Sequence, residues 1–99
     1  MIYENFIESL RDENPPTGIV GELAALWWDG KGNWDKAHRI AQEIYSWSGS
    51  WVHAYLHRKE GDVWNADYWY SKAGKQRPEI SLDKEWSNLV NYFCTNDFE

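Results

Sequence analysis

Gly32-Asn33-Trp34-Asp35-Lys36-Ala37 lines up with Gly61-Asp62-Val63-Trp64-Asn65-Ala66, 29 residues further along the chain. Each copy closes a stretch of helical periodicity and opens another. A glycine followed by a short polar residue is how one helix stops and the next begins. The pattern predicts a helical hairpin used twice.

Outward from these turns the apolar residues keep the helical period. Leu23, Ala24, Leu26, Trp27 and Trp28 precede the first turn; Ala37, Ile40, Ala41, Ile44 and Tyr45 follow it. Ser46-Trp47-Ser48-Gly49-Ser50 reads as a loop, and the next helix is expected from about Trp51 to Glu60. After the second turn come Ala66, Trp69, Tyr70 and Ala73, broken at Lys75-Gln76-Arg77-Pro78. Tyr3, Phe6, Ile7 and Leu10 predict a short first helix, ended by Pro15-Pro16. Leu82, Trp86, Leu89, Val90 and Phe93 predict a last one, capped by Ser81. The tail after Thr95 is expected to fray. The fold class is therefore all-α: a compact bundle of about six short helices in one domain over residues 1–99. It holds hairpins at about 19–46 and 51–74, and flanking helices at about 2–13 and 82–95 that should cover the open ends.

The repeated turn resembles the tetratricopeptide repeat, with its glycine–acid turn and fixed alanine, aromatic and proline positions. Gly61-Asp62, Ala66, Tyr70, Ala73 and Pro78 follow that pattern, and Ala54 stands where the repeat wants a small residue. The first copy keeps Gly32, Trp34, Ala37 and Ala25 but has Ala41 at the aromatic position and no closing proline. The resemblance implies two tetratricopeptide-like antiparallel hairpins. The string Trp51-Val52-His53-Ala54-Tyr55-Leu56-His57-Arg58-Lys59-Glu60-Gly61-Asp62, with Trp64-Asn65-Ala66, Tyr68-Trp69-Tyr70 and Ala73-Gly74, also resembles a family of small microbial proteins of uncharacterised activity. That likeness implies the fold and carries over no activity.

Composition narrows the function classes. The formal net charge of −6 argues against nucleic-acid binding, which depends on phosphate neutralisation. Half of the basic residues, Arg58, Lys59, Lys72, Lys75 and Arg77, fall in one run, which reads as solvated surface with an anion site as the alternative. One cysteine, Cys94, allows no internal disulfide and is expected to be buried. No apolar run is long enough for a membrane span, and the N-terminus does not read as a signal peptide, so a cytoplasmic protein is expected.

The chain carries eight Trp and six Tyr. Trp27, Trp34, Trp47, Trp51, Trp64, Trp69 and Tyr68 are more than a small core hides, so some should form an exposed surface for a protein partner or for self-association. A non-enzymatic protein-interaction module is the leading expectation. No nucleophile elbow or phosphate loop is present, and pairs such as Asp12/Glu13 and Asp83/Glu85 read as solvated helix ends.

The alternative is a small-molecule or metal-binding protein using the face of His53 and His57, which lie at i, i+4. Aligning the two units sets His53 over Ala24 and His57 over Trp28, so both imidazoles should be at least half buried. Tyr55 or Trp28 is expected beside them, with Glu60 and Asp62 at the edge. These six residues are the candidate ligand or partner surface. A zinc ion needs three or four donors; Glu60, Asp62 and His38 are the available extras. His38 reads as surface or site, with Asp35 or Asp67 as partner. No metal ligand set and no cofactor is assigned from the sequence.

Overall fold

In the structure, a computed structural model that describes residues 1–96, the two turns are built alike. The N–H of Gly32 bonds the carbonyl of Asp29, and that of Asn33 reaches back to Trp28 at 2.9 Å. The N–H of Gly61 bonds Arg58, and that of Asp62 bonds His57 at 3.0 Å. This is the two-bond closure of a helix end, which needs a left-handed residue after the last turn. Gly32 (φ +85°) and Gly61 (φ +89°) supply it without strain. The next residue then opens the following helix. Asn33 Oδ1 accepts from the Lys36 N–H at 3.1 Å, and Asp62 Oδ1 from the Asn65 N–H at 3.3 Å. A single residue thus ends one helix and caps the next.

Among the described residues six helices result: α1 (Tyr3–Ser9), α2 (Gly21–Gly30), α3 (Trp34–Gln42), α4 (Trp47–Lys59), α5 (Val63–Lys72) and α6 (Leu82–Thr95). α2 packs on α3 and α4 on α5; α3 also meets α4, and α2 meets α4 directly. The flanking helices do not cover the two ends of this array as expected. α6 lies across α2 and α4, and α1 rests on α6. The apolar stripe of α6 (Leu89, Val90 and Phe93, all fully buried) finds its core there, with Phe6 from α1. The radius of gyration, 12.4 Å, is that of a compact chain of this size. Among the described residues, no helix is long and apolar enough to cross a membrane.

Ala25, Ala37, Ala54 and Ala66 are all fully buried, at the small positions of the two units. Ala54 and Ala66 form a second small core with Tyr70, where α4 and α5 approach closely.

The structure corrects several expectations. α4 starts at Trp47, so Trp47 to Ser50 is helix and not loop. Ser46 caps it, and Gly49 is there for space: an added Cβ would fall 2.5 Å from Ile44 Cβ and onto the Ile44 carbonyl oxygen. α3 ends at Gln42, short of Ile44 and Tyr45. Cys94 is half-buried rather than buried. Glu85 is 3% exposed, not a solvated helix end. It accepts from Tyr70 Oη at 2.6 Å and from Arg58 Nη1 at 2.7 Å. The tail expected to fray lies, from residue 97 on, outside the described residues.

Candidate functional site

His53 and His57 occupy one face of α4, and both are buried, at 6% and 7% exposure. α3 packs against this face and brings His38, one turn after Trp34, into contact with both. His38 Nε2 lies 2.9 Å from His53 Nε2. One nitrogen donates and the other accepts, so the two rings are in opposite tautomers. The rings of His53 and His57 stack with centroids 4.7 Å apart. One donor nitrogen from each of the three imidazoles falls within 4.8 Å of the others.

Aromatic rings enclose this group on both sides. Trp34 stacks on His38 at 4.8 Å, and its Nε1 donates to the Leu56 carbonyl at 2.8 Å, which holds the indole in place. On the other side Trp69 of α5 stacks on His53 at 4.1 Å. Burial therefore disfavours protonation. His53 is pushed down to about 4 by desolvation first, then by the neighbouring His38 and His57. His38 is lowered too, by desolvation and by His57, against the opposing pull of Glu60 and Asp35. Near neutral pH His53 is an uncharged base with a lone pair to offer.

His57 Nδ1 stands 2.6 Å from Glu60 Oε2. A carboxylate on one ring nitrogen orients the imidazole and leaves the other for a ligand. Asp62, the cap of α5, is gathered with Glu60 at His57, with donor atoms within 4.8 Å of one another. Glu60 and Asp62 thus sit beside His57.

Tyr55 and Trp28 do not join them. Tyr55 turns to the opposite side of α4, where its hydroxyl donates to Asp29 Oδ2 at 2.7 Å. Burial and that carboxylate push its ionisation far up. Lys59 Nζ completes this second network at 2.9 Å from Asp29 Oδ1. Trp28 meets Trp27 edge-on and carries the Lys36 ammonium over its ring at 4.0 Å. The basic run is equally dispersed. Arg58 pairs with Glu85, Arg77 with Asp67, and Lys75 rests over Trp51 at 4.3 Å.

The sequence offers His38 only as an available further donor and Trp69 only as one of several aromatics for the surface. For His38 the usable signal was its position on the first unit, facing the helix that follows. Its partner is His53, not Asp35 or Asp67. No protein-family model, curated protein or solved structure matches the chain.

Proposed function

We propose that this chain is a metal-binding helical domain, holding one divalent transition-metal ion on His38, His53 and His57. The observation that carries the reading is the convergence of three imidazole donors from two helices within 4.8 Å. Imidazole suits zinc, copper and nickel, and three histidines with one further position is a common zinc geometry. Metal–nitrogen bonds of about 2.0–2.1 Å require ligand nitrogens about 3.3 Å apart in a tetrahedron. The His38–His53 contact of 2.9 Å needs to open by only a few tenths of an ångström. The lowered proton affinity of His38 and His53 removes the competitor that metals usually displace. Glu60 serves as the orienting carboxylate of His57, and the fourth position falls to water or to a carboxylate at the rim. Binding is the role that the converging donors support, with Glu60 engaged by His57.

Zinc chloride in a thermal-denaturation experiment tests this. Binding to the folded state alone raises Tm with metal concentration. His38→Gln should remove that rise while the metal-free protein stays folded. An equal rise in wild type and variant would reject the three-histidine site.

A second reading rests on exposed aromatics. Trp64 is 83% exposed, Tyr68 50% and Trp47 42%, which fits a surface for a protein partner. It accords with α2–α3 and α4–α5 as tetratricopeptide-like antiparallel hairpins and with the small microbial family that the sequence resembles. Support comes from the shared turn geometry, the buried alanines and the packing of α4 on both α2 and α3. A cytoplasmic location is part of the same reading. The metal site is favoured because its donors converge, whereas the exposed rings are spread over α4 and α5.

A further inference from the structure

A groove of about 390 Å³ lies between the end of α3, the start of α4 and the side of α5. Its rim and walls include Tyr45, Trp47 and Trp69; His53 and Ser50 also line it, and Lys72 stands at one edge. That volume is in the range of small-molecule sites, which are mostly apolar with a few converging polar groups. The walls are flat. Trp69 has one face on His53, and Trp47 stacks on Trp51 at 6.2 Å. Tyr45 is 89% exposed, a large ring left in water beside a concavity.

The groove carries a cation, and at its rim Glu43 accepts from the Tyr45 hydroxyl at 3.4 Å. The chain carries −6, yet no Asp or Glu is among the residues lining the groove, and Lys72 is its one charged member. The Lys72 ammonium lies 5.8 Å from the Trp69 ring and 5.6 Å from that of Tyr68, near the outer limit for attraction to a ring. Among the described residues it makes no ion pair of 4.0 Å or less, whereas Arg58, Lys59 and Arg77 are each held by a carboxylate. An anion lodged in the groove would meet this cation without displacing an acid, and a planar one would lie against the aromatic walls.

We infer that this groove binds a small planar organic anion, an aromatic carboxylate, against Trp47 and Trp69 with its charge at Lys72. The site borders the histidine cluster through His53 but does not depend on a metal there. Its aromatic walls, Trp47 and Trp69, come from the start of α4 and from α5, and neither ring is a donor of the cluster.

Naphthalene-2-carboxylate is a suitable probe, with 2-naphthamide as its neutral, equally flat counterpart. Calorimetric titrations of the full chain in EDTA separate this site from metal binding. The carboxylate should bind more tightly than the amide, and the preference should shrink as salt screens Lys72. Lys72→Gln should weaken the carboxylate by about threefold to tenfold and leave the amide unchanged. Trp47→Ala should weaken both. In amide-proton NMR spectra, the indole N–H signals of Trp47 and Trp69 should move with either probe, and that of Trp86 should not. Equal affinity for the two probes, indifference to Lys72→Gln, or no shift at Trp47 and Trp69 at millimolar probe would each overturn the inference. None of these outcomes bears on whether the histidines hold a metal.

Discussion

His38 and His53 meet nitrogen to nitrogen, 2.9 Å apart, across the junction between α3 and α4. The contact requires at least one neutral ring and ties the end of one repeated unit to the start of the other. Both rings are held by stacked indoles, Trp34 on one and Trp69 on the other. A buried basic group held neutral in this way has a direct thermodynamic consequence.

That consequence is acid sensitivity. An unfolded histidine takes up a proton near pH 6.5, whereas folded His53 does so only near 4. Below pH 6.5 the unfolded chain therefore binds a proton that the folded chain refuses, and stability falls as pH drops. The stabilisation is fully present above about 6.5 and is lost progressively toward pH 4. A displacement of this size is worth at most about 3 kcal/mol, and His38 adds to it in the same direction. Denaturant titrations in EDTA at several pH values between 7 and 4 should show this slope. His53→Phe should flatten it.

Replacing Ala66 with Leu should cost about 1–3 kcal/mol in a denaturant titration, because overpacking a close helix contact displaces its neighbours. Ala66 and Ala54 are both fully buried against Tyr70, with no room for three more carbons. An unchanged midpoint would mean that α4 and α5 are not this close.

Gly49→Ala separates packing from propensity. Helix propensity alone favours Ala by up to about 1 kcal/mol. The added methyl would fall 2.5 Å from Ile44 Cβ, so the variant should instead be destabilised. The expected loss is about 1–2 kcal/mol by thermal or chemical denaturation.

Arg58→Met should destabilise the fold by about 3 kcal/mol, since it leaves the buried Glu85 carboxylate with Tyr70 alone. Adding Glu85→Gln to that variant should restore part of the loss, because the uncompensated charge is then gone. A double-mutant cycle measures the coupling.

The sequence carried the six helices because each turn is written locally. Gly32-Asn33 and Gly61-Asp62 hold both the stop and the cap, and Ser81 accepts from the Lys84 N–H at 3.0 Å as a cap should. It also carried the burial of His53 and His57, since the repeat aligns them with Ala24 and Trp28. The start of α4 was not legible: a Ser/Gly-rich run looks like loop, although Ser46 caps the helix and Gly49 leaves room for Ile44. The position of Tyr55 follows from helix geometry alone. Two residues from either histidine on a helix is nearly the opposite side, where Asp29 awaits it. The burial of Asp29 and Glu85 depended on tyrosines and cations from other helices, so nothing local announced it. The third histidine belongs with these. His38 reaches the pair because α3 packs on α4, and its place on the first unit is the one sequence signal for that.

Cobalt(II) titration followed by visible absorption tests the metal site most directly, because ligand number and geometry set the spectrum. Metal-free protein at neutral pH should develop absorption that saturates at one equivalent, with the intensity of a four- or five-coordinate site bearing nitrogen ligands. Zinc should bleach it, and His38→Gln, His53→Gln and His57→Gln should each abolish saturation at that stoichiometry. A weak, non-saturating spectrum like that of aqueous cobalt, or a full wild-type spectrum in the His38 variant, would contradict a metal centre built on these three imidazoles.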